Sequence, residues 1–197
     1  MKRYLILLLA IACGVAGAQN NPPVRLRGTV ESFASPSLVI KERSGKVFVL
    51  TLPETTGIAE VIRSDITAVQ PGSFIGTAAL PRADGRLESL EVVVFPEAAR
   101  GAGEGHFPWD LKPESSMTNA TVADLARSSE GRTLTLRYKD GEKKVVVPDG
   151  VPVVTMRPGD RSLVTPGAKV FIVAEPEDGQ LVVRRLLIGR NGLQPPM

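Results

Sequence analysis

Along residues 24–31, Val24, Leu26 and Val30 alternate with Arg25, Arg27, Thr29 and Glu31. Further on, Leu134, Leu136 and Tyr138 alternate with Thr133, Thr135 and Arg137. A period of two sends successive side chains to opposite faces of a strand, so both stretches predict half-buried β-strands. Residues 38–41 and 46–52 read as two strands joined by a turn at Arg43-Ser44-Gly45, and Lys139-Asp140-Gly141 is the matching turn later in the chain. The stretch 57–70 has room for a helix, but its later counterpart contains Pro152 and Pro158. A proline inside a helix costs about 3 kcal/mol. Strands at 58–62 and 151–156, with a short helical turn at 64–69, are predicted instead, and the fold class is all-β.

The same pattern is written twice. Gly28-Thr29-Val30-Glu31-Ser32 matches Ala120-Thr121-Val122-Ala123-Asp124, and Ala68-Val69-Gln70-Pro71-Gly72 matches Leu163-Val164-Thr165-Pro166-Gly167. Asp84-Gly85 matches Asp178-Gly179, so the three offsets are 92, 95 and 94 residues. Two copies at so long a period predict a duplicated domain, not a solenoid. We therefore expect two tandem small OB-like barrels, over residues 20–98 and 118–192. A Gly/Pro-rich connecting loop over 99–117 joins them, and a short tail follows at 193–197. At this size each core is only modestly stable alone, which favours packing of the two against each other.

The first residues change the picture of where the chain works. Lys2-Arg3 precede an apolar run from Tyr4 to Ala12, and Ala16-Gly17-Ala18 forms an A-x-A triplet. This predicts a signal peptide over residues 1–18 and an exported, periplasmic protein. The run is about half of the roughly 20 residues that span a bilayer, so no transmembrane segment is expected in the mature chain. Ala10-Ile11-Ala12-Cys13 offers an alternative, a lipid anchor on Cys13. Cleavage after Ala18 removes the single cysteine, which leaves no disulfide, thiolate nucleophile or Cys-based metal site. It also removes Lys2 and Arg3, two of the 24 basic side chains, and none of the 21 acidic ones, so the mature charge is +1.

The Arg27-Gly28-Thr29-Val30-Glu31-Ser32 opening, the Val69-Gln70-Pro71-Gly72 turn and the run from Gly105-His106-Phe107-Pro108-Trp109 to Met117-Thr118-Asn119-Ala120 carry a resemblance. Over the mature chain the sequence resembles a group of uncharacterised exported bacterial proteins with tandem OB-like domains. Some of that group carry the automatic description of metal ABC transporter permease, which implies spanning segments this sequence lacks. The resemblance implies no functional residues.

Little in the sequence points to catalysis. His106 is the only histidine, and neither a G-x-S-x-G nor a P-loop spacing occurs. Gly101-Ala102-Gly103-Glu104-Gly105 is followed by Pro108 where a dinucleotide fold needs a helix, so it reads as a turn. Glu88 and Glu91 stand three apart on a predicted strand and read as a solvated pair on opposite faces. Glu104, His106 and Asp110 lack the fixed geometry of a metal site, and Met117, Met156 and Met197 are scattered. No metal or cofactor is expected.

Lys143-Lys144 and Arg184-Arg185 are adjacent on strands and so split between faces. With sparse aromatics, this argues against a nucleic-acid groove. The sequon Asn119-Ala120-Thr121 reads as coincidence. Phe107 and Trp109 stand out, being large apolar side chains in a segment of glycine, proline and charge. They predict a loop docked between the barrels, with His106, Phe107, Trp109 and Asp110 as the candidate ligand-binding residues. The expectation is a non-catalytic exported binding or scaffolding protein acting on a protein or envelope component. The alternative is a periplasmic small-ligand or metal-ion binder associated with a transport system.

Overall fold

The computed structural model describes residues 22–197, and its regular elements are strands and single 3-10 turns. The predicted cleavage site after Ala18 and the alternative anchor Cys13 lie outside the described residues. The first seven strands are β1 (Val24–Ala34), β2 (Ser37–Glu42), β3 (Val47–Thr51), β4 (Gly57–Arg63), β5 (Phe74–Pro81), β6 (Leu87–Ser89) and β7 (Val92–Val94). The connection carries β8 (Gly105–Pro108). The rest are β9 (Ser116–Ser128), β10 (Gly131–Tyr138), β11 (Gly141–Val147), β12 (Val153–Pro158), β13 (Lys169–Glu177) and β14 (Gln180–Gly189). β4 and β12 are extended, in keeping with the prolines that disfavour a helix in the second of these segments. A 3-10 turn at Ile66–Ala68 follows β4, started by Asp65, whose carboxylate accepts the Thr67 N–H at 2.7 Å.

Strand pairing closes a five-stranded barrel. β1 pairs with β2 and β2 with β3. β3 meets β14 in parallel at Thr51 and Val182, β14 pairs with β13, and β13 returns to β1. The pairings β9–β10, β10–β11, β11–β6, β6–β5 and β5–β9 join five further strands into a second ring in the same order. Each ring takes three strands from one repeat and two from the other. The expectation of one barrel within 20–98 and another within 118–192 is corrected accordingly: neither segment closes a barrel by itself.

The cause is the path of β4 and β12. Neither doubles back to its own ring; they pair antiparallel with each other, with Val61 opposite Met156. About that centre the ladder matches itself, Glu60 facing Arg157 and Ala59 facing Pro158 on one side, Ile62 facing Thr155 and Arg63 facing Val154 on the other. β4 then runs parallel to β14, and β12 parallel to β7. Val61, Val93, Val154, Phe171 and Leu187 form an apolar core between the rings. Met197 of the tail is buried in it too, so the tail is packed and not an appendage.

The rings differ inside. In the first, Leu26 faces Ile172 across β1–β13, and Val183 lies beside them in the core. At the matching places of the second stand Thr118, Thr77 and Ser89, all buried. The hydroxyls of Thr77 and Ser89 are 2.8 Å apart, and both reach the Glu91 carbonyl, at 2.7 and 2.9 Å. Their partners offset the cost of burying them.

Glu91 is not solvated, as its pairing with Glu88 suggested, but fully buried. The ladder between β5 and its neighbour breaks at Leu90-Glu91, and the Glu91 carboxylate accepts the Ala78 N–H at 3.0 Å in place of a backbone carbonyl. Its other oxygen has no partner. Burial pushes its pKa up from 4.5 to about 8, against the opposing pull of that N–H and of Arg27. Glu88 instead reaches Arg82 at 3.0 Å.

Two outcomes are expected. Residues 22–98 expressed alone should be a dimer by light scattering, with β4 paired to β4 of a second copy; a folded monomer would show that exchange is not required. For Glu91, the folded value lies above the unfolded one, so the folded chain keeps a proton that the unfolded chain releases. Its contribution to stability is complete below about pH 4.5, declines through the interval and is lost above about pH 8. Denaturant titrations should show a flatter pH dependence over that interval for Glu91→Gln than for the parent, and equal slopes would mean Glu91 is ionised in the fold.

Candidate functional site

The connection between the repeats is ordered and lies across both rings. Gly101, Gly103 and Gly105 all have positive φ, at 82°, 58° and 142°, which side-chain-bearing residues rarely adopt. Asn119 of β9 clamps this turn by donating to the Ala102 and Gly103 carbonyls at 3.3 and 3.1 Å. The sequon asparagine is thus a structural clamp. β8 then adds to the edge of β9, with His106 opposite Thr118 and Phe107 opposite Met117. Pro108 is tolerated because it sits on an edge strand.

Alternation along β8 separates the expected ligand-binding residues. His106 turns toward the second ring, its Nδ1 2.8 Å from the Thr118 hydroxyl and its ring stacked on Tyr138 with centroids 6.4 Å apart. Burial, aided by the charge of Lys143, lowers its pKa. Phe107 takes the opposite face and meets Trp109 edge-on at 6.0 Å. Trp109 also packs against Phe171 of β13 at 6.2 Å, and the Arg25 guanidinium lies 4.3 Å from its ring centroid.

Asp110 is drawn to β1, where its carboxylate takes a hydrogen bond from Arg27 at 2.6 Å. Burial opposes ionisation of Asp110, but that bond and the charges of Arg27 and Arg25 outweigh it and hold the carboxyl below its ordinary range. Phe107 and Trp109 therefore share a site, while His106 and Asp110 serve elsewhere. Glu104 is engaged by the Lys139 N–H at 3.0 Å, so Glu104, His106 and Asp110 do not converge. Among the described residues no group of three or more His, Cys, Asp or Glu could hold a metal ion.

Phe107 and Trp109 form one wall of a cavity of about 400 Å³ between the rings, a size within the range of small-ligand sites. The first ring contributes a row that crosses three strands: Arg25 of β1 is the register partner of Val173 of β13, and Val173 that of Arg185 of β14. The second ring faces it with Gly76 and Met117, and the adjoining β7 with Val93, none of which carries a charge.

Arg184 and Arg185 both line the cavity and both are exposed, contrary to the split expected of neighbours on a strand. The β13–β14 register shifts between Val173 and Ala174, and the resulting bulge re-aims the pair. Arg184 is held by Glu175 and Glu177 at 2.8 and 2.7 Å. Among the described residues neither Arg25 nor Arg185 makes an ion pair. The buried Trp109 Nε1 and Asn119 Oδ1 have no hydrogen-bond partner, a deficit of about 1–3 kcal/mol for each such group.

Sequence reasoning found the aromatic wall but missed Arg25, Arg184 and Arg185. Period two did place Arg25 on the outer face of β1, though nothing local says that this face meets Trp109. No protein-family model, curated protein or solved structure matches the chain. Among the described residues no helix is long and apolar enough to cross a membrane.

Trp109 is the only tryptophan, so its emission reports on this loop. It should be blue-shifted from that of tryptophan in water and resist a soluble quencher. Trp109→Ala should cost roughly 2–3 kcal/mol of stability in denaturant titrations, below the usual core value because the ring is only partly buried. A loss under 0.5 kcal/mol would mean that the ring's packing adds little.

Proposed function

We propose that this is an exported, non-catalytic binding protein that takes a small organic ligand into the cavity between its rings. The observation that carries the reading is the cavity itself, walled by Phe107, Trp109 and Phe171 and edged by Arg25 and Arg185, which make no ion pair among the described residues. Arginine stays protonated throughout the physiological range, so these groups suit holding a charge more than transferring a proton. The side chain best suited to acid–base chemistry, His106, is turned to the opposite face of β8. Export is supported by Lys2-Arg3, the apolar run and the A-x-A triplet.

The strand order of each ring, first-second-third-fifth-fourth with a parallel contact between third and fifth, supports a duplicated OB-like ancestor whose copies exchanged their last two strands. A scaffolding role has one observation in its favour: Val47 and Val49 on β3 are exposed at 50% and 67%. They are two small side chains, and the cavity is the larger and more specific feature.

A screen of small organic molecules should return compounds that shift Trp109 emission and raise the unfolding temperature. Val173→Phe, which fills the cavity from a half-exposed position, should abolish both effects. Hits that bind Val173→Phe unchanged would place binding elsewhere and defeat the reading.

A further inference from the structure

We propose that the ligand of this cavity is an organic carboxylate with an apolar body, its charge held between Arg25 and Arg185. The inference rests on the reading of the cavity as a binding site and adds the chemistry of its occupant. Register partners on adjacent strands share a face, so Arg25, Val173 and Arg185 form one row pointing into the same space. The two arginines are separated by two strand spacings, roughly 10 Å between backbones, with only the small Val173 between them. An anion resting over Val173 lies within reach of both guanidiniums, and a carboxylate matches their forked donors.

Other nearby cations are already engaged. Arg184 is bonded to two glutamates, and Arg27 donates to Asp110 and to the Met197 carbonyl. Arg25 is within electrostatic reach of Asp110, but the bonded partner of that carboxylate is Arg27.

The remaining lining defines the other end of the ligand. Phe107, Phe171, Met117 and Met156 offer aromatic and thioether surface with no charge, and methionines adapt to bodies of different shape. A polar or doubly charged molecule would lose hydration against these walls without compensation. An alkyl or aryl chain ending in one carboxylate fits both ends at once.

Matched pairs test the inference: octanoate against octanamide and phenylacetate against phenylacetamide, measured by calorimetry on the purified protein. The acids should bind and the amides should bind at least about tenfold more weakly, the effect of losing a charge-assisted bond. Arg185→Gln, at an exposed residue without an ion-pair partner, should weaken the acids by a similar factor and leave the amides and the unfolding temperature unchanged. Arg25→Gln should do the same to the acids, with Trp109 emission in the free protein as the check on packing. Amides that bind as tightly as acids, and lose binding in Val173→Phe, would overturn the carboxylate while leaving the cavity reading in place. No binding by either acid would overturn the carboxylate and leave the cavity reading to the wider screen, whereas acid binding that survives Val173→Phe would overturn both.

Discussion

The antiparallel pairing of β4 with β12 governs the architecture. At Val61 and Met156 the repeats cross, and each strand carries its chain out of the ring that its first three strands began. Had these segments been helices, each could have capped its own barrel and let the next two strands return to it. Pro152 and Pro158 oppose that in the second repeat, while extended chain lets the two segments satisfy each other's backbone groups. The buried Glu60 of this ladder is met by Arg157 and, at 3.5 Å, by Arg190, so the crossing is held by charge as well as by backbone bonds. Strand exchange, the core between the rings and the cavity beside that core all follow from this crossing.

Near-symmetry at the crossing makes the departures informative. The position that is Glu91 in one repeat is Arg185 in the other, at the same break in the ladder. Glu91 is turned inward and substitutes for a missing backbone acceptor at Ala78, whereas Arg185 stands exposed at the rim of the cavity. The opposing positions Asn119 and Arg27 diverge in the same way, one clamping the connection and the other binding Asp110. Charge is thereby concentrated on one wall. Between the two rings lies a single polarised cleft, and the rings differ both in outward-facing positions such as Arg185 and in buried ones such as Thr77, Ser89 and Glu91.

The connecting segment completes the cleft and belongs to neither ring. It is tied to the second ring by β8 and by Asn119, and to the first by Trp109 and Asp110. Ring-to-ring packing alone would leave the outer faces of β1 and β13 uncovered at this point. Trp109 supplies the cover and at the same time a flat apolar wall. The same side chain therefore holds the rings together and shapes the space between them.

Much of this was legible in the sequence, because strand formation and turn chemistry are local. Alternation gave the strands around Val24–Val30 and Leu134–Tyr138, prolines ruled out a helix at 151–158, and Phe107 with Trp109 marked the connection as docked. Partner choice was not legible. Two repeats with matching patterns can close rings within themselves or across each other with the same hydrogen bonds, and only the path of β4 and β12 through space decides between these. The fates of Glu91 and of Arg184-Arg185 were hidden for a related reason: a strand break or bulge shifts the face a side chain occupies, and its position depends on the opposing strand. His106 and Asp110 looked like companions of Trp109 by adjacency, but an edge strand turns neighbours apart and Arg27, distant in sequence, claims the carboxylate. Local sequence set which residues were extended, and long-range pairing set which of them met.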